Sequence, residues 1–142
     1  MSYATDKGKI GDYDVQEFLN GIFGGFGFTF RRVGGAERTR KVFAGDVCLV
    51  PSQSQNNIDA CVLTPYFIES KRKENPRIFV DAQKARDDAK WHGKRGYILF
   101  ASKQARGSKV GENELVVMDR STFESFMVEL QGFREDERSL KL

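Results

Sequence analysis

Apolar and polar positions along the chain change period several times, and each change marks an element. Between Asp14 and Phe23, Val15, Phe18, Leu19, Ile22 and Phe23 recur at helical spacing, which predicts an amphipathic helix stopped by Gly24 and Gly25. GFGFTFRRV then alternates Phe26, Phe28 and Phe30 with small or polar residues, the pattern of a strand with one buried face. A second strand follows in VFAGDVCLV, and a third in the material from Ile58 to Lys71, interrupted by Pro65. Asn75 and Pro76 signal a helix start, and the stripe Ile78, Ala82, Ala85 and Ala89 predicts a helix that lies close on a sheet until about Trp91, with Gly93 as its stop. GYILFAS is a continuous apolar run, as in a strand covered on both faces, and ELVVMD reads as another buried strand. Ser121 and Glu124 have capping-box spacing for a last helix lined by Phe123, Phe126, Met127 and Leu130. The expected order is α-β-β-β-α-β-β-α, an α/β chain with a central mixed β-sheet flanked by helices. A single domain over 1–131 is expected, with 132–142 a charged, flexible tail.

Composition agrees with one such domain. The 142 residues are 39% hydrophobic and 30% charged, within the range of ordinary globular chains. No apolar run approaches a membrane span, and MSYATDKGKIGDYD lacks the apolar core of a signal peptide, so a cytoplasmic protein without membrane contact is expected. Cys48 and Cys61 read as small buried hydrophobes in a reducing compartment, and with the lone His92 they do not make a structural zinc site. His92, near a helix end, suits the C-terminal dipole.

Net charge is only +3, but its distribution is uneven. Arg31, Arg32, Arg38, Arg40 and Lys41 cluster against Glu37, and Lys71, Arg72, Lys73 and Arg77 cluster against Glu74. Such patches suit a polyanion, and nucleic-acid phosphate is the partner they favour. PYFIESKRKE sharpens that reading. In a strand, Glu69 and Lys71 share a face with Phe67 while Ile68 and Ser70 face the other way. Asp46 opens the apolar strand VCLV, so pairing of the two strands would converge Asp46 and Glu69 on one divalent cation. Mg²⁺ takes oxygen donors of this kind, one or two carboxylates supplemented by a backbone carbonyl such as that of Ser70 and by substrate phosphate. Mn²⁺ would substitute. Phosphodiester hydrolysis needs such a cation, and Lys71 could orient the water or stabilise the developing charge.

With Asp46, Glu69 and Lys71 in AGDVCLV and YFIESKRKE, the chain resembles the PD-(D/E)xK nuclease superfamily, and within it the small Holliday junction resolvases of archaea and phages. The likeness runs from about Asp14 to Leu130 and departs at Gly45, where the superfamily often has Pro. It implies a restriction-endonuclease-like core and a metal-dependent endonuclease that resolves four-way DNA junctions in recombination or repair. It also implies a homodimer, in the host cytoplasm if the gene is phage-borne. Glu17, on the first helix, matches an acidic residue that often completes the metal site, and Gln83 matches a Gln that often supports it. Arg31, Arg32, Arg38, Arg40, Lys41, Arg72, Lys73 and Arg77 would hold DNA. The alternatives are another PD-(D/E)xK nuclease of repair or restriction type and a non-catalytic module that binds branched DNA.

Overall fold

Two strands near the middle of the chain organise everything else. The computed structural model describes residues 3–34, 44–50, 58–104 and 113–140, with side chains from residue 10 onward. The regular elements are α1 (Tyr3–Phe23), β1 (Thr29–Arg32), β2 (Val47–Val50), β3 (Tyr66–Lys73), α2 (Ile78–Trp91), β4 (Gly96–Lys103), β5 (Glu114–Val117) and α3 (Arg120–Leu140). β3 and β4 run parallel, joined by α2 as the crossover, and β5 adds antiparallel to β4. β1 and β2 form a separate antiparallel pair with Thr29 opposite Val50 and Arg32 opposite Val47. The architecture is therefore mixed α/β with two sheets, where the sequence pattern led us to expect one central sheet.

Side-chain alternation along β3 and β4 creates two cores. Tyr66, Ile68, Ile98 and Phe100 face α1 and the β1–β2 pair, packing on Val15, Leu19, Phe28, Phe30 and Val47. Phe67, Tyr97, Leu99 and Ala101 face the opposite way onto Ala82, Ala85 and Ala89 of α2. The small stripe lets α2 lie close to the sheet, and each large side chain buried there contributes roughly 1.5–3 kcal/mol relative to exposure. β4 is buried from Tyr97 to Ser102 because it has a strand on each side and a helix-bearing layer on each face.

Local differences from the sequence pattern have physical causes. α1 starts at Tyr3, well before the apolar stripe begins; the first turns carry no 3.6-residue period to announce them. Gly11 permits close approach there, since a β-carbon at that position would sit 3.1 Å from Ser70 Oγ. α2 ends as its glycine signals: Gly93 has φ +70°, Lys94 N–H donates to Ala89 O and Gly93 N–H to Lys90 O, a Schellman closure. β5 is an edge strand with Leu115 and Val116 half exposed, where a buried strand was expected. Ser121 does not cap α3, because the helix begins at Arg120, two residues before the start that a Ser121 cap implies, and Asp119 O receives the Thr122 and Phe123 N–H groups. The segment 132–140, expected as a tail, continues α3 with every side chain exposed. Cys48 and Cys61 are free thiols.

Candidate active site

Asp46 is where the two sheets meet. Its N–H donates to Ile68 O at 2.9 Å, its O receives Val33 N–H at 2.8 Å, and its Oδ2 receives Ser70 N–H at 2.8 Å. Among the described residues no ladder pairs β2 with β3, so Asp46, held by backbone and side chain together, anchors the β1–β2 pair to β3 beside the packing of Phe30 and Val47 on Tyr66 and Ile68. Gly45 makes the approach possible. Its φ is +90°, and a β-carbon there would overlap the Ile68 carbonyl oxygen. Proline, with φ fixed near −65°, cannot adopt that conformation, which accounts for Gly at this position.

Glu69 projects from β3 on the α2 side, into a cleft of about 310 Å³ lined by Asp46, Lys71, Lys84, Asp88, Trp91 and His92 among others. Both carboxylates are buried, Asp46 at 7% exposure and Glu69 at 6%. Burial and the neighbouring Asp46 charge raise the Glu69 pKa to about 8, with a smaller push from Asp88 and only partial relief from Lys71, whose Nζ lies 3.4 Å from Oε1. Asp46, Glu69 and Lys71 thus converge on one cleft, where burial and the neighbouring Asp46 favour the protonated form of Glu69.

A divalent cation fits that donor set. Two adjacent carboxylates in a buried site are hard oxygen ligands whose mutual repulsion a cation would relieve. Among the described residues no group of three or more His, Cys, Asp or Glu side chains is placed to hold a metal ion, so the protein's share would be Asp46 and Glu69, with backbone and substrate oxygens as the remaining donors. The Ser70 N–H already orients Asp46, and its carbonyl belongs to the same strand.

Other expected site residues lie elsewhere. Glu17 is exposed on α1, which packs on the opposite face of β3 beside Ser70, and it does not line the cleft. Gln83 is exposed too, its Nε2 donating to Asp87 Oδ1 at 2.9 Å and its Oε1 accepting from Arg86. The α2 face that does reach the cleft is Lys84, Asp88 and His92, four residues apart each time. Spacing alone marks 84, 88 and 92 as one helix face; only the packing of α2 on Phe67 and Leu99 shows which face is turned inward. His92 Nδ1 donates to Asp88 O at 2.9 Å, closing the helix end, and its ring packs on Phe67 and Trp91.

Among the expected DNA contacts, Arg31 and Arg77 are exposed. Arg32 Nε lies 3.4 Å from the buried Asp12, with its guanidinium over the Tyr13 ring. Lys73 Nζ donates to the buried Asp81 at 2.7 Å. Arg72 sits on the α1 side, where its charge acts on Asp14 and Glu114. Arg38, Arg40 and Lys41 lie outside the described residues. No helix among the described residues is long and apolar enough to cross a membrane. In comparisons with known proteins, no family model, no curated protein and no solved structure matches the chain.

Proposed function

We propose that this protein is a Mg²⁺-dependent DNA endonuclease of the PD-(D/E)xK kind that cuts branched DNA, with the four-way junction as its preferred substrate. One observation carries the reading: Asp46, Glu69 and Lys71 share a single cleft, with the two carboxylates buried against each other and Glu69 pushed up to about 8. Clusters that hold titratable groups in such unfavourable protonation states are characteristic of sites that bind or react.

Asp46 and Glu69 would hold the cation, with Mn²⁺ able to replace Mg²⁺. When bound, it supplies positive charge that offsets the scissile phosphate and acidifies water. The chain's own groups account for the rest. Ser70 N–H fixes the Asp46 carboxylate, so that oxygen does not need to reorganise as substrate arrives. Lys71, half-buried beside Glu69, is positioned to orient the attacking water or to hold a phosphate oxygen. Lys84 lines the same cleft and adds a second ammonium for phosphate. Trp91, half exposed at the cleft, offers an aromatic face to a sugar or base. Arg31 and Arg77 extend positive charge outward, and binding through such contacts weakens steeply as salt rises. A symmetric pair of copies would match the two strands a junction presents for cutting.

The experiment is a comparison of Mg²⁺-dependent cleavage on a four-way junction, a flap and linear duplex. The proposal expects the junction to be cut at least about tenfold faster than duplex, the scale of a modest difference in recognition energy. Equal rates on all three would replace the junction with DNA in general, and no cleavage of any would remove the enzyme reading.

A further inference from the structure

The two walls of the cleft are unequally supplied with hydrogen-bond partners. On the β3 wall, Asp46 Oδ2 accepts the Ser70 N–H and Glu69 Oε1 has Lys71 Nζ at 3.4 Å. The α2 wall presents Lys84, Asp88 and His92, about 6 Å apart along the helix axis because each is four residues from the next. Two acceptors on this wall stand without donors. Asp88 is half-buried, and no described residue hydrogen-bonds or pairs with its carboxylate; the bonds of Asp88 run through its backbone oxygen. That oxygen only accepts, so in the neutral His92 ring the hydrogen sits on Nδ1. Nε2 is left as an acceptor, buried and without a partner.

Unfilled acceptors facing a carboxylate pair disfavour an anion against that wall and suit a group rich in donors. A hydrated divalent cation is such a group, because Mg²⁺ keeps several waters whose hydrogens point outward. Asp88 does not join Asp46 and Glu69 as a direct third ligand, so its reach to an ion there runs through one of those waters. Its charge is nonetheless felt at Glu69, which sets the two carboxylates within electrostatic range inside the cleft. We infer that Asp88 is a cation-positioning residue: from the α2 wall its carboxylate accepts hydrogen bonds from the waters of a divalent cation held by Asp46 and Glu69. The inference rests on the cation site proposed above and adds to it the helix that faces it. Partners that orient a metal's ligands in this way typically change its affinity by about 10–100-fold. Lys84, one turn earlier, stays free of this role and faces phosphate.

Titration of the full chain with Mn²⁺ in the absence of DNA tests it, read by loss of the free-ion electron paramagnetic resonance signal at pH 8.5, above the Glu69 value of about 8. Asp88→Asn keeps the size of the side chain and removes its charge, and should raise the Mn²⁺ dissociation constant about tenfold or more. Asp87→Asn removes the same charge from the exposed neighbouring face, where the carboxylate accepts from Gln83, and should stay within about twofold of wild type. Circular dichroism and the melting transition of the metal-free chains check that both variants are folded. Unchanged Mn²⁺ binding by Asp88→Asn, or an equal loss in Asp87→Asn, overturns the inference and leaves Asp46 and Glu69 as the cation's ligands. A wild-type chain that takes up no Mn²⁺ at millimolar concentration, or an Asp46→Asn chain that takes it up undiminished, overturns the inference and the cation site together. A chain that shows the Asp88 effect yet cuts no DNA keeps the inference and loses the nuclease reading.

Discussion

The sheet carries two acidic clusters whose chemistry is opposed. At one, Asp119 accepts two charge-assisted hydrogen bonds from Arg86, at 2.9 and 2.7 Å, and a third from Tyr97 Oη at 2.8 Å. The Arg86 guanidinium and the Tyr97 hydroxyl hold its pKa below the usual carboxylate value. At the other, Glu69 is buried beside Asp46 and its pKa rises to about 8. Both lie next to α2, so proximity to a helix does not explain the contrast. A carboxylate with three donors ties α2, β4 and the start of α3 together. A buried pair of carboxylates, with one lysine at 3.4 Å, favours a proton on Glu69 that a bound cation could displace. The first arrangement is structural; the second costs stability, as the proposed active site would.

The largest effect that would break this comparison is at Gly45. Gly45→Ala forces a β-carbon into a backbone with φ +90° and against the Ile68 carbonyl, and should destabilise by roughly 2–4 kcal/mol in chemical denaturation. A loss below about 0.5 kcal/mol would mean that Asp46 is not docked as described. Next come two substitutions of opposite sign. Glu69→Gln removes the buried repulsion and should stabilise the metal-free chain by about 1–3 kcal/mol at pH 8.5. Asp119→Ala strips Arg86 and Tyr97 of their acceptor and should destabilise by about 1–2 kcal/mol. If both variants shift the melting transition in the same direction, the distinction between the clusters fails.

The pH slope tests the same contrast unit by unit. Between the usual 4.5 of a glutamate and its folded value of about 8, Glu69 holds a proton in the folded chain that it lacks in the unfolded one. Stability in the metal-free chain therefore falls as pH rises through that window, by at most about 1.4 kcal/mol per pH unit. Asp119 acts in reverse: its lowered pKa gives stabilisation present above the unfolded value and lost as pH falls through the folded one. Denaturation midpoints across pH should show the Glu69 slope vanish in Glu69→Gln and persist in Asp119→Ala.

What was legible in the chain follows from period. The alternation in YFIESK placed Phe67, Glu69 and Lys71 on one face, and the structure puts them together over α2. The alanine stripe of α2 and the terminating Gly93 were equally readable, because helix faces and left-handed caps are local properties. Contacts set by how separate elements meet were not. The expected single sheet became two because, among the described residues, β2 packs on β3 through side chains such as Val47 and forms no ladder with it, the backbone bond from Asp46 to Ile68 lying just before β2; no pattern within VCLV announces this. Glu17 and Gln83 came with the family likeness, and both are exposed outside the cleft, while Lys84 and Asp88 needed the rotation of α2 to be known. The Ser121 box lost to Asp119, whose place is fixed by Arg86 and Tyr97 from elements distant in sequence.

The central claim is that the strained pair, and not the satisfied one, does chemistry on DNA. Single-turnover cleavage of a four-way junction with Mg²⁺ by wild type, Asp46→Asn, Lys71→Ala and Asp119→Ala measures it most directly. The account predicts that Asp46→Asn and Lys71→Ala each lose at least about 100-fold in rate, the scale of removing a group that stabilises the transition state. Asp119→Ala should cut within about threefold of wild type at a temperature where it remains folded. Undiminished cutting by Asp46→Asn or Lys71→Ala, or equal losses in all three variants, would contradict it.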